Sequence, residues 1–207
     1  MVNNISDELL SAIDNADVVV FEGFEMTGKS YLAKQVNQKY ASILYRPDWE
    51  GAMTDRVVKR GNRFIPGLAV LGLWKQLMES GNTKRLLIDR WMAVSYVYQI
   101  QYNQPTDATS LDELVKAHIL AASGLNLVMI HKQHSNEEEA RKMYEMSLKS
   151  LDHSDIYDHF SSFEDYYKAY QKFNDSYLRF YEECCPFPTY ILSSLGNNIL
   201  ERRNLTC

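Results

Sequence analysis

Asp17-Val18-Val19-Val20-Phe21-Glu22-Gly23-Phe24-Glu25-Met26-Thr27-Gly28-Lys29-Ser30 joins two patterns that together say most about this chain. The first half is a β-branched, apolar run ending in glycine, the signature of a strand buried on both faces. The second half, Gly23 to Ser30, fits G-x-x-x-x-G-K-[ST]. The glycines let the backbone curl so that successive N–H groups point inward, and the helix that follows adds its positive N-terminal end. Lys29 supplies a cation for the β- and γ-phosphates of ATP, and Ser30 a hydroxyl for Mg²⁺. The next residues, GKSYLAKQVNQKY, carry Leu32, Val36 and Tyr40 at helical spacing. A strand before the motif and an amphipathic helix after it make Gly23, Phe24, Glu25, Met26, Thr27, Gly28, Lys29 and Ser30 a nucleotide-phosphate loop.

Working outward, a helix is expected from Asp7 to Asn15, with Ser6 as N-cap and Leu9, Leu10 and Ile13 on one face. Short apolar runs predict four more strands: Ser42 to Tyr45, Arg85 to Asp89, Asn126 to His131 and Thr189 to Ser193. Helical patterns fill the gaps: Pro66 to Glu79, Trp91 to Tyr102, Ser110 to Ala122, Asn136 to Leu148, and Phe160 to Glu183. Alternation of this kind predicts an α/β fold with a five-stranded parallel sheet flanked by helices. The chain of 207 residues reads as one domain, with a lid at about 132–158.

Composition narrows the function. Lys and Arg number 22 against 27 Asp and Glu, a net charge of -5, which disfavours a general nucleic-acid binder that must neutralise phosphates. Cys184, Cys185 and Cys207 form no disulfide framework, no apolar run approaches a membrane span, and MVNNISDELL lacks the basic start of a signal peptide. These traits predict a soluble, cytoplasmic protein in a reducing compartment.

FEGFEMTGKS resembles the FEG-x-[DE]-x-x-GK-[ST] opening of thymidylate kinases. A second stretch, Asp89-Arg90-Trp91-Met92-Ala93-Val94-Ser95-Tyr96-Val97-Tyr98-Gln99, is similar to that family's DRY-x-x-x-S-x-x-YQ segment, with Trp91 in place of Tyr. The resemblance implies a P-loop kinase fold with a helical lid and use of ATP and Mg²⁺. By the same resemblance, Glu25 lies near the acceptor sugar, Asp89 holds Mg²⁺ through water, and Arg90 meets the transferring phosphate. Tyr98 and Gln99 line the acceptor nucleoside, and Arg46-Pro47 matches a reduced form of the family's R-E-P, whose arginine grips the acceptor phosphate. The family also implies a homodimer and a nucleotide substrate, and the divergence is compatible with a virus-encoded enzyme. Two departures stand out. The helix before the DR motif has no thymine-reading arginine and offers Trp74 and Lys75, with Arg63 and Phe64 upstream. The lid carries Lys132, Arg141, Lys142 and Lys149, diluted by Glu137, Glu138 and Glu139.

The acceptor stays open between two chemistries. A nucleoside monophosphate presents an oxygen that already lacks a proton and needs cations, for which Arg46 and Arg90 serve. A hydroxyl must lose a proton, and Glu25, Asp48 or Glu50 would act as base. The second chemistry includes deoxynucleosides and 5-hydroxymethyl pyrimidines, free or within DNA. A third reading, a non-catalytic ATP-binding module, would lack the catalytic field that Lys29, Ser30, Asp89 and Arg90 provide.

Other features have plainer readings. His131 and His134 read as loop histidines rather than zinc ligands. Asp152, His153, Asp155, Asp158 and His159 read as a solvated segment, with Asp158 a candidate cap for the long helix. Cys184 and Cys185 read as structural, and Glu137 to Glu139 as a helix first turn. Trp49 and Trp74 are candidates for stacking on a base. Phe160, Phe163, Tyr167, Tyr170, Phe173, Tyr177 and Phe180 recur at three- and four-residue steps and predict a core-packing stripe.

Overall fold

Ser6 opens the described chain's first helix, its hydroxyl accepting from the Leu9 amide at 3.2 Å, and α1 (Asp7–Asp14) buries Leu9 and Ile13. The computed structural model describes residues 5–40, 42–46, 65–82, 84–102, 111–149 and 160–204, with the side chains at 65, 66, 99 and 102 left out. Strand β1 (Val18–Glu22) leads to α2 (Lys29–Tyr40), β2 (Ile43–Tyr45), α3 (Ile65–Glu79) and β3 (Leu86–Asp89). Then come α4 (Met92–Tyr102), α5 (Leu111–Ala122), β4 (Leu127–Gln133), α6 (Glu137–Leu148), α7 (Phe163–Glu183), β5 (Thr189–Ser193) and β6 (Ile199–Arg203).

The strand order is β2-β3-β1-β4-β5-β6. The first five strands are parallel, and β6 returns antiparallel to β5. Five strands are expected from the sequence; the sixth is a correction. Ile199–Arg203 shows no hydrophobic alternation, because as an edge strand it is largely exposed and carries Glu201, Arg202 and Arg203. Arg202 pairs with Glu8 of α1, which ties the edge to the helix layer.

All five residues of β1 are buried, as its apolar run requires. Val18 and Val20 face a layer built from α3, α4, α5 and α7, while Val19 and Phe21 face α1 and α2. The aromatic face of α7 packs into the first layer through Phe163, Tyr166, Tyr170, Phe173, Tyr177, Phe180 and Tyr181. Each such ring removes enough apolar surface from water to contribute about 2 kcal/mol. Tyr166 and Tyr181 belong to this face and Tyr167 is only partly buried, a shift from the expected stripe. The cap of α7 is Ser162, accepting from the Asp165 amide, rather than Asp158. Among the described residues, no helix is long and apolar enough to cross a membrane.

β1 lies between β3 and β4, so connections leave it toward both halves of the sheet. The crevice at the carboxyl end of such a strand is where ligands of open α/β sheets bind. The Gly23–Ser30 loop leaves β1 at that end.

Candidate active site

The loop curls through positive φ at Gly23 (136°), Met26 (60°) and Gly28 (80°). Gly23 admits no side chain: a methyl there would overlap the Lys132 carbonyl and approach the Thr27 hydroxyl to 2.9 Å. Inside the curl, the Thr27 hydroxyl and the Lys29 ammonium both donate to the Phe24 carbonyl, at 2.9 and 3.1 Å. The Phe24 ring is wedged among Tyr166, Tyr170 and Phe173 of α7, with centroids 4.9 to 6.3 Å away. The Tyr166 hydroxyl donates to the Glu25 carbonyl at 3.0 Å, so α7 holds the loop by both packing and a hydrogen bond.

Charges converge just above. One Arg90 nitrogen donates to both Glu25 oxygens at 2.7 Å, Lys29 lies 3.9 Å from the same carboxylate, and Tyr98 donates to it at 3.4 Å. Burial works against charge on Glu25, but Lys29 and Arg90 outweigh it and hold its pKa down to about 2. Burial lowers Lys29 to about 8 and the Arg90 charge adds to that, while Glu25, Asp89 and Glu22 pull it back up. Arg90 loses solvation too, yet Glu25 raises its pKa further, so it stays charged. Arg46, at the end of β2, reaches over to Asp89 at the end of β3 with a 3.6 Å ion pair. Lys29, Arg90 and Arg46 therefore stand at the ends of three adjacent strands. Asp89 is 2% exposed and its Oδ1 makes no hydrogen bond among the described residues.

Glu22, the last residue of β1, is fully buried. Its Oε1 accepts from the amides of Trp91 at 2.8 Å and Val94 at 3.5 Å, while Oε2 has no hydrogen-bond partner. Burial raises its pKa to about 7, against the pull of those amides and of Lys29 and Arg90. Arg90 itself has φ of 77°, a left-handed backbone that a non-glycine residue adopts at a cost of about 1–3 kcal/mol.

Beside the loop a second polar cluster forms. His134 contacts the Ser194 and Tyr166 hydroxyls, each at 2.7 Å, and Glu139 accepts from Ser135, Ser194 and Leu195. Lys132 donates to the Ser193 carbonyl and the Asn197 side chain. Burial pushes Lys132 down to about 7 and His134 to about 4. These contacts fix the turn after β5 against the start of α6, where a groove of about 360 Å³ opens. Asn136, Lys142, Leu195 and Asn198 line it. The Ser194 carbonyl lies 3.5 Å from where a Gly28 Cβ would stand, so groove and phosphate loop adjoin.

The structure thus brings Lys29, Glu25, Arg90, Asp89, Arg46 and Tyr98 together. Ser30 sits in the first turn of α2, half-buried. Trp74 lies in the main core, 3% exposed, with its indole N–H making no hydrogen bond among the described residues. Arg141 packs its guanidinium over the Phe163 ring at 3.9 Å, between Glu137 and Glu164. Asp48, Trp49, Glu50, Arg63, Phe64, Cys207, the Asp152–His159 cluster and the Gln99 side chain lie outside the described residues. His131 and His134 are corrections: both are buried, and His131 belongs to β4, bonded to Tyr181 and Asn174. Cys185 is buried and its thiol is pushed up to about 11, which suits a structural residue. Glu22 and Tyr166 are site-supporting residues that sequence reading passes over; Lys132, expected in the lid, is a correction, since it lies buried in β4, and Glu139, expected as a first-turn acid, also accepts from the turn after β5. Glu22 has one signal, a charge ending an otherwise apolar strand.

No family model matches the chain, and neither does any curated protein sequence. Solved structures do share its fold. The chain is similar to the YorR protein from Bacillus subtilis, solved in complex with phosphorylated GDP: TM-score 0.54, 12% identity, covering 86% of this chain and 85% of YorR. It is also similar to deoxyadenosine kinase from M. mycoides with bound dATP: TM-score 0.50, 15% identity, 86% and 90% coverage. The α/β architecture, a mostly parallel sheet flanked by helices, is common to all three.

Proposed function

We propose that this chain is an ATP-dependent phosphotransferase of the thymidylate kinase-like kind, moving the γ-phosphoryl to a deoxynucleoside monophosphate. The observation that carries this is the convergence of three cations, Lys29, Arg90 and Arg46, around the ends of β1, β3 and β2. An acceptor phosphate and a transferring phosphoryl together bring several negative charges, and transfer between them needs positive charge and in-line positioning more than a base. Glu25, with its carboxyl held down to about 2, is a poor proton acceptor, which favours an already ionised acceptor. Its forked contact with Arg90 supports reading this arginine as an anion-binding group.

In this reading Gly23–Ser30 cradles the donor phosphates, with Lys29 on the β- and γ-groups, and the adjoining groove receives the rest of ATP. The buried, unpaired Asp89 Oδ1 and the Ser30 hydroxyl are hard oxygen donors that fit Mg²⁺, and these two residues would hold it. Mg²⁺ bound there supplies charge neutralisation at the donor phosphates. Arg90 meets the transferring phosphoryl, Arg46 the acceptor phosphate, and Tyr98 with Gln99 the acceptor nucleoside, while the core position of Trp74 takes it out of that role. The fold neighbours were solved with phosphorylated GDP and dATP, which supports a nucleotide substrate.

The likeness to a deoxyadenosine kinase favours a second reading, a hydroxyl acceptor, with Asp48 as base. A coupled assay over nucleoside monophosphates, nucleosides and DNA bearing 5-hydroxymethyl pyrimidine separates them. The expected result is transfer to a monophosphate, and Arg46→Ala raises the acceptor KM by about tenfold or more while the ATP KM moves by less than about twofold. Transfer to hydroxyls alone would overturn the reading.

A further inference from the structure

Helix α4 starts without any cap of its own. Met92 opens it, so Trp91 occupies the N-cap position and Val94 the third position of the first turn. A self-capped helix uses a short polar side chain at the N-cap to accept from the third amide, and a Glu or Gln at the third position to accept from the N-cap amide. Indole accepts no hydrogen bond and valine has no polar atom. Both amides nevertheless have a partner. They converge on one oxygen, Glu22 Oε1, contributed by β1 from 69 and 72 residues away.

The reason for borrowing the cap lies one residue earlier. Arg90 reaches Glu25 from a left-handed backbone at φ 77°, directly before the helix. That conformation persists only if the surroundings impose it. Three consecutive contacts do so, all from β1 and its loop. The Phe21 carbonyl accepts from the Arg90 amide at 2.9 Å, Glu22 Oε1 takes the Trp91 amide, and the Glu25 carboxylate takes the guanidinium. A Ser or Asp at position 91 would accept from the Val94 amide locally and make the Glu22 contact to it unnecessary. With the cap on Glu22, the helix start and Arg90 move only with the strand that carries the phosphate loop.

We propose that Glu22 is a positioning residue for phosphoryl transfer: it caps α4 in trans and so registers Arg90 against the phosphate loop. This rests on the phosphotransferase reading above, but the cap itself is testable without turnover. Glu22→Leu removes the shared acceptor and leaves two buried amides unpaired, so it also loses stability; its kinetics are read well below its Tm, and the double-variant comparison separates positioning from folding. Glu22→Gln keeps the accepting oxygen and drops the charge.

The test combines amide hydrogen exchange, thermal melting and kinetics on the full chain. In Glu22→Leu, exchange at the Trp91 and Val94 amides speeds up by about tenfold or more, since their acceptor is gone, and Tm falls by several degrees. Glu22→Gln keeps both amides protected. Turnover of Glu22→Leu falls by roughly a hundredfold, the scale of a 1 Å misplacement, with ATP KM little changed. Added to Arg90→Ala, Glu22→Leu costs no more than about a further twofold, because both act through one group. A simple structural role would instead add in full to Arg90→Ala. That additivity, or unchanged protection of the two amides in Glu22→Leu, would overturn the proposal. If the wild-type chain transfers phosphoryl to no acceptor, the proposed function falls, and the exchange pattern alone still decides the cap.

Discussion

At Gly23 the loop after β1 leaves no room for a side chain. Its φ of 136° suits glycine, and an added methyl would overlap the Lys132 carbonyl of the neighbouring strand. Gly23→Ala is therefore expected to destabilise by about 1–3 kcal/mol from backbone strain alone, more once the overlap is relieved by moving β4. Gly72, inside α3, has nothing within 4 Å of its Cβ position, so Gly72→Ala should be neutral or stabilise by up to about 1 kcal/mol. Thermal melts compare the two, and equal effects would discount the close approach. The Gly23–Ser30 motif was readable because its spacing is local: each residue's task depends on neighbours within eight positions. That Arg90 and Tyr98 come to the same loop was expected from the resemblance alone, since their contacts to Glu25 span 65 and 73 residues. Glu22, Tyr166 and His134 were not, since their partners lie 141 to 32 residues away in the chain and no spacing rule connects them.

Elements with a regular period came through the sequence almost intact. β5 spans Thr189–Ser193 as expected, and α2, α4 and α6 begin within a residue of the pattern. The exceptions share a cause: burial on one side only, or two candidates for one face. β6 is an exposed edge whose residues say nothing about pairing. On α7, Tyr166 and Tyr167 both satisfy three- and four-residue steps, and the choice falls to contacts with His134 and Glu25 that only the fold supplies. The same helix holds a sharper test. The Tyr177 hydroxyl is fully buried and makes no hydrogen bond among the described residues. An unsatisfied buried hydroxyl costs on the order of 1–3 kcal/mol, so Tyr177→Phe should leave stability unchanged or raise it. Phe173→Ala removes a ring that touches both Phe24 and Tyr98 and should cost about 3–5 kcal/mol. Chemical denaturation of both variants measures the contrast, and a marked loss in Tyr177→Phe would show that its hydroxyl has a partner.

Taken over the whole molecule, buried ionisable groups set an acid-sensitivity profile. His131 and His134 are held near 4 by burial, against a usual 6.5. His134 is pulled up by Glu139 and down by Lys132, and faces Tyr166, Tyr170 and Ser194; His131 faces Tyr177, Tyr181 and Asn174. Between pH 6.5 and 4 the unfolded chain takes up protons that these folded imidazoles refuse, so stability falls as pH falls. Glu22 acts in the opposite sense. Its folded pKa is raised to about 7 from 4.5, so from pH 7 to 4.5 the folded chain binds the proton more readily and gains stability. Two groups against one leave a shallow loss in that window. Below 4.5 Glu22 offers nothing further, while Glu25, ionised in the fold down to about 2, begins to lose its stabilising pairs with Lys29 and Arg90. Tm should therefore decline gently from pH 7 to about 4.5 and then steeply. In Glu22→Leu the gentle limb should steepen, because its opposing group is gone while both histidines remain. A series of melts from pH 7 to 3 on the two proteins measures this, and parallel curves would show that Glu22 is ionised in the fold throughout.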